Sequence, residues 1–294
     1  MTPLLAVPNV SEGRDAERIE EIGQAFSREL SLLDRHTDAD HGRTVFTLAG
    51  NRGQMFESLI AGATAAIELI DLSGHSGAHP RIGALDVCPV VWASEEQEHE
   101  ARTTALAVAE QIGGLGVPVF LYGPLARTPA REERAYFRSG GLLELASRME
   151  TGRVVADFGP KMPHPTAGAT LVTARSPLAA FNVELDTADS TVARDVARRL
   201  RESGGGLGGV RAIGLGLTKG RAQVSTNIHD PFAVPLRAVV ERVRGLAAEH
   251  GAKPVEAELV GLIPEAALED YPEDVPIRGF EPDRHVIERR LAAL

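Results

Sequence analysis

One order of hydrophobic patterns, strand-helix-strand-strand-helix-strand, occurs twice in this 294-residue sequence. In the first pass, Leu4 to Val7 is a short apolar run closed by Pro8. Asp15 can cap a helix running to about Leu30, with Ile19, Ile22, Ala25 and Phe26 on one face. Ser31 to Asp34 and Arg43 to Ala49 read as strands around a polar loop. After a turn at Gly50-Asn51-Arg52-Gly53, the residues Phe56, Leu59, Ile60, Ala63, Ile67 and Ile70 recur at helical spacing. Ala84 to Trp92 is a strongly apolar strand; a helix over Glu95 to Ile112 and a strand over Val117 to Tyr122 follow. Thr151 to Gly168 has no period and reads as a loop, and Ala169 to Arg175 reads as a strand.

The second pass starts after Ser176-Pro177. Leu178 to Leu185 is a strand, and Asp189 caps a helix that ends at Gly204-Gly205-Gly206. Val210 to Leu217 and Ala222 to Ile228 form a hairpin around Thr218-Lys219-Gly220-Arg221. Leu236, Val239, Val240, Val243 and Leu246 mark a helix, and Val255 to Ile263 a last strand. The expected class is α+β, with each half a split βαβ unit whose sheet is covered by helices on one face. The expected domains are residues 1–175 and 176–294.

Composition removes several function classes. With 31 basic and 41 acidic residues the net charge is −10, which repels phosphate backbones, and no basic run offsets it. Nucleic acid is therefore not expected as a partner. No window approaches the roughly 18 apolar residues of a membrane span. The single cysteine, Cys88, excludes an internal disulfide, and the first residues do not read as a signal peptide, so a cytoplasmic setting is expected.

The densest polar segment is Ser73-Gly74-His75-Ser76-Gly77-Ala78-His79-Pro80-Arg81-Ile82-Gly83, just before the apolar strand. A histidine on a stiff loop at a strand mouth suits a general base, because imidazole titrates near neutrality; a plain polar turn is the alternative. His75 and His79 have metal-like spacing only on a helix, which the glycines and Pro80 disfavour. His36-Thr37-Asp38-Ala39-Asp40-His41 could hold a divalent metal or be a hydrophilic loop between strands. Cys88 in its apolar strand reads as packing, whereas Asp86 beside it needs a partner or faces a site. Gln223, Ser225 and Asn227 share one strand face that either reads a ligand or is solvated.

The sequence resembles the formiminotransferase family. The resemblance rests on Val7-Pro8-Asn9-Val10-Ser11-Glu12-Gly13, Arg43-Thr44-Val45-Phe46-Thr47 and His79-Pro80-Arg81-Ile82-Gly83-Ala84-Leu85-Asp86-Val87-Cys88-Pro89. Leu121-Tyr122-Gly123, Asp157-Phe158-Gly159-Pro160, Ala222-Gln223-Val224-Ser225-Thr226-Asn227 and Leu259-Val260-Gly261-Leu262-Ile263-Pro264 extend it along nearly the whole chain. It implies two ferredoxin-like subdomains with a ligand tunnel between them, in a homodimer. It implies transfer of the formimino group from N-formimino-L-glutamate to N5 of tetrahydrofolate, a co-substrate, in histidine degradation, with no metal. It makes His79 the catalytic residue. It places folate against a loop of Gly159, Pro160, Lys161, Met162, Pro163, His164, Pro165, Thr166, Ala167 and Gly168. Both substrates carry carboxylates, so Arg43, Arg81 and Lys161 are candidate clamps, with Asp86 a further candidate for substrate binding. The competing expectations are formyl transfer from N-formylglutamate, folate binding without turnover, and a metal-dependent hydrolase built on His36, Asp38, Asp40 and His41.

Overall fold

The computed structural model describes residues 3–74, 80–218 and 220–294. The chain divides into two compact units, Met1–Ser176 and Pro177–Leu294. Both mix helices with a sheet, so the class is α+β.

The first unit runs β1 (Leu4–Ala6), β2 (Asn9–Val10), α1 (Ala16–Phe26), β3 (Ser31–Asp38), β4 (Arg43–Gly50), α2 (Arg52–Leu69) and β5 (Leu85–Val91). It continues through α3 (Glu98–Gly114), β6 (Val119–Leu121), α4 (Arg134–Arg138), α5 (Gly141–Glu150) and β7 (Thr170–Arg175). β1 and β2 are two pieces of one path lying between β4 and β5: Leu5 faces Ala49 and Val91, and Asn9 faces Val45 and Val87. The break falls at Val7-Pro8, where proline has no N–H for the ladder. Beyond β5 the sheet gains two parallel neighbours, β7 and then β6. Parallel strands need crossovers, and α3 and the α4–α5 pair lie in those connections.

Three local rules explain departures from the sequence expectation. α1 stops at Phe26 rather than near Leu30, because Ser27 turns its hydroxyl back onto the Gly23 carbonyl at 2.7 Å. α2 starts at Arg52, inside the expected turn: Asn51 accepts from the Gln54 N–H while Gln54 accepts from the Asn51 N–H, a reciprocal capping box. β3 continues to Asp38, so His36 and Asp38 are strand residues paired with Val45 and Arg43, not loop residues.

The second unit runs β8 (Ala179–Leu185), α6 (Ser190–Leu200), β9 (Val210–Gly216), β10 (Ala222–Ile228), α7 (Leu236–Ala248) and β11 (Pro254–Val260), then α8 (Pro282–His285) and α9 (Ile287–Ala292). Its sheet order is β11-β8-β10-β9, and every neighbouring pair is antiparallel. Phe181, Val183, Val224, Val196 and Val240 are fully buried in its core. Alternation along β8 and β10 sends Asn182, Glu184, Gln223 and Ser225 to the opposite face of the sheet.

Candidate active site

The site is assembled around the β3–β4 hairpin. Asp38 ends β3, Arg43 begins β4, and the turn between them uses a left-handed Gly42 (φ 62°). Asp38 Oδ1 accepts from the His41 N–H at 2.8 Å, and Asp38 Oδ2 lies 2.6 Å from His41 Nδ1. Burial alone would raise the Asp38 pKa, but the bonds from the His41 ring and backbone outweigh it and hold the carboxyl well below its usual range. An ionised carboxylate only accepts, so Nδ1 carries the proton. His41 itself is 1% exposed, although it sits in a turn.

A second strand end approaches from β5. Asp86 is 5% exposed; its Oδ1 accepts from the Ile82 N–H at 2.8 Å and its Oδ2 from Arg138 Nη2. Arg81 Nη2 donates to the His41 carbonyl at 3.3 Å, tying the β5 approach to the hairpin. The Ser11 hydroxyl donates to the Gly83 carbonyl at 2.7 Å and closes the same corner. Asn9, Ser11, His41, Arg43, Arg81 and Asp86 line one small pocket with Val10. Three of the residues selected from sequence, Arg43, Arg81 and Asp86, are thus brought together.

The charge balance of this corner is lopsided. Burial pushes the Arg43 pKa down to about 10, and Arg138 and Arg134 add to the effect against the opposing pull of Asp38 and Asp86. Arg81 and Arg134 are lowered in the same way, by burial first. Asp86 acts on Arg43, Arg81 and Arg134 and bonds Arg138, while Asp38 also acts on Arg43 and Glu133 on Arg134. Arg43, Arg81 and Arg134 nonetheless remain charged at neutral pH. Such a corner attracts an anion, and guanidinium forks match carboxylates. Asp86 already has a protein donor on each oxygen, which makes it a brace between Ile82 and Arg138.

The loop Gly159–Gly168 is stitched to the same approach. The Ala84 N–H donates to the Ala167 carbonyl and the Ala169 N–H to the Ile82 carbonyl, both at 2.9 Å. A Cβ on Gly83 would lie 2.0 Å from the Ala169 carbonyl oxygen, and Gly168 needs φ 69° with the Ile82 carbonyl as close. Only glycine permits that contact at either position. His164 Nδ1 accepts from the Ala167 N–H at 3.1 Å, fixing its ring on the loop. Pro160, Lys161 and Met162 are exposed, and Lys161 is not among the pocket residues.

His75 and His79 lie outside the described residues, as does Lys219. Cys88 is fully buried and its thiol is pushed up to about 12 by burial, so it is no nucleophile at neutral pH. Gln223 and Ser225 are buried rather than solvated. Arg134 and Arg138 were not found from sequence, because α4 was not recognised. Leu142, Leu145 and Met149, spaced near the helical period, were the signal that could have found α5.

Family models match this chain across both units. The formiminotransferase domain, N-terminal subdomain, matches residues 4–175, and the formiminotransferase domain matches residues 180–273. The chain belongs to the formiminotransferase family. A glutamate formimidoyltransferase of Thermoplasma acidophilum is 34% identical over 298 residues, 99% of this chain and 98% of that protein. One from Streptococcus pyogenes is 36% identical over 97% of each. The formimidoyltransferase-cyclodeaminase of Gallus gallus is 39% identical over 91% of this chain, which spans 51% of that longer protein. Among the described residues no helix is long and apolar enough to cross a membrane.

Proposed function

We propose that this enzyme transfers the formimino group of N-formimino-L-glutamate to N5 of tetrahydrofolate, releasing L-glutamate and 5-formiminotetrahydrofolate, as a step of histidine degradation. The near full-length match to two glutamate formimidoyltransferases carries this reading. The ferredoxin-like form of the subdomains, the ligand tunnel, the division at residues 175 and 176, the homodimer and the cytoplasmic setting belong to the same proposal.

In the reaction, the lone pair on N5 attacks the amidine carbon. A C–N bond forms, the bond from that carbon to the glutamate nitrogen breaks, and one proton passes from N5 to the departing nitrogen. His79 takes that proton and returns it, a role worth about 10²–10⁴-fold. Arg43 and Arg81 hold substrate carboxylates, which fixes the donor in line for attack. Asp86 supports them by bracing Ile82 and Arg138. The loop Gly159–Gly168 holds folate. No metal enters the scheme.

The test is turnover with tetrahydrofolate and either formiminoglutamate or formylglutamate, measured side by side. Faster turnover of the formimino donor is expected; preference for the formyl donor overturns the assignment. His79→Ala should lose about 10²–10⁴-fold in kcat, read in a folded variant.

A further inference from the structure

We propose that Tyr122, Arg134 and Arg175 form a second carboxylate subsite beside the Arg43 corner, and that it selects a donor with two carboxylates. The inference deepens the transfer reaction proposed above and rests on it.

The subsite lies at the carboxyl ends of the parallel strands. β5, β7 and β6 are neighbours in that order; Arg175 ends β7 and Tyr122 directly follows β6. The Tyr122 N–H donates to the Val172 carbonyl at 3.1 Å, and the Thr173 hydroxyl donates to the Tyr122 carbonyl at 2.7 Å, so the two strand ends are tied together. The connections leave for opposite faces. α3 contributes Val108 and Ile112 to the core that holds Val172, whereas α4 and α5 contribute Phe137 and Leu145 to the core that holds Leu171. In parallel sheets, ligands gather outside the carboxyl ends where connections part in this way. Alternation along β7 puts Leu171, Thr173 and Arg175 on the α4–α5 face.

The polar groups at this end are mostly donors. The Arg134 guanidinium lies over the Tyr122 ring, 6.0 Å from its centre. Arg175 bonds the Tyr122 hydroxyl and also donates from Nη1 to the Ser176 carbonyl at 2.8 Å. A guanidinium only donates, so the hydroxyl oxygen accepts from Arg175 and its own O–H is left to donate. Among the described residues the charges acting on Arg175 are Tyr122 and Arg134, with no carboxylate among them, and burial leads in pushing its pKa down to about 10. Arg148 fixes α4 by donating to the Tyr136 and Phe137 carbonyls at 2.7 and 3.0 Å, which holds Arg134 in place. Two guanidiniums and a phenol hydroxyl are a donor set that takes a carboxylate. Arg134 also acts on Arg43, so it stands between the first corner and this strand end. Formiminoglutamate carries two carboxylates three carbons apart. One rests on Arg43 and Arg81, and the other on Arg134 and Arg175.

Wild-type turnover of formiminoglutamate tests the parent reading on its own; the inference is read from competing inhibitors of that turnover. L-glutamate carries both carboxylates, L-glutamine has the γ-carboxylate masked as an amide, and 4-aminobutyrate lacks the α-carboxylate. The wild type should bind L-glutamate about 10- to 100-fold more tightly than either of the others, the worth of a charged hydrogen bond. L-glutamate binding no better than either overturns the proposal. Arg175→Gln should weaken L-glutamate by about 10- to 100-fold and leave one of the two monocarboxylates within about 3-fold, because that inhibitor has no group for the subsite. A purely structural role would weaken all three alike, and that result overturns the proposal. So does a folded Arg175→Gln variant with unchanged L-glutamate binding, or one in which only the KM for tetrahydrofolate rises. If Arg175→Gln does not fold, Tyr122→Phe decides, since it retains the ring beneath Arg134 and loses only the hydroxyl. It should weaken L-glutamate by about 3- to 10-fold with the same dependence on inhibitor, and equal binding of all three inhibitors to variant and wild type rejects the proposal.

Discussion

The two units share an order of elements, but the β8 network of the second and the Arg43 corner of the first treat buried charge in opposite ways. In the second unit Glu184 on β8 is fully buried and accepts from Arg278 Nη2 at 2.5 Å and Arg221 Nη1 at 3.2 Å. Arg278 also bonds Glu256, and Asn182 bonds Glu258 at 3.0 Å. The bond to Glu256 leads, and with the bond to Glu184 it pushes the Arg278 pKa up against the effect of burial. Around Arg43 in the first unit burial leads and pushes its pKa down, with Asp86 shared among four guanidiniums and Asp38 and Glu133 acting on one each. Carboxylates supplied with two guanidiniums form a structural network. The guanidiniums gathered around Asp86 are the anion receptor of the proposed function. The difference separates a structural ion cluster from the proposed binding site.

The largest expected effect tests the structural half. Replacing both Arg221 and Arg278 by alanine leaves Glu184 buried and without those cations. A loss of about 3–5 kcal/mol is expected in urea unfolding. A loss near zero would mean that this network is screened surface charge, and the contrast with the first unit would disappear.

The next effect tests the binding half. Arg43→Ala should raise KM for formiminoglutamate by roughly 10- to 100-fold, the equivalent of about 1.5–3 kcal/mol for a charged hydrogen bond. Its unfolding free energy should stay level or rise, since a buried cation crowded by Arg134 and Arg138 is removed. Destabilisation as large as that of the paired arginine variant would reassign Arg43 to the scaffold.

The comparison also explains what the sequence could show. Regular apolar periods announced α1, α2, α7 and the strands of the second unit, because these elements are held by burial of one face. β3 beyond Asp34 was hidden: Arg35, His36, Thr37 and Asp38 are polar, and their strand state comes from pairing with β4. The start of α2 was legible in Asn51 and Gln54 but was masked by Gly53. Arg43, Arg81 and Asp86 could be chosen from their neighbours in sequence. Their common corner could not, since it depends on the Ile82–Asp86 and Arg138–Asp86 bonds across a helix that went unread. His41 was visible only as a possible metal ligand, because its partner is fixed by turn geometry.

The smallest expected effect concerns Asp38, where binding and structure meet. Its pKa is held below the ordinary 3.8, so its charge contributes stability that is complete above that value and is lost as pH falls through the lower folded value. Asp38→Asn retains the acceptor for the His41 N–H, so the difference from wild type reports the charge. Near neutral pH the variant should be less stable by about 1 kcal/mol. The gap should close progressively in acid, below the pKa of an unperturbed aspartate. A gap that persists undiminished at the acid limit would assign the stabilisation to turn geometry instead. Asp38 would then resemble the paired network of the second unit rather than the cation-rich corner it borders.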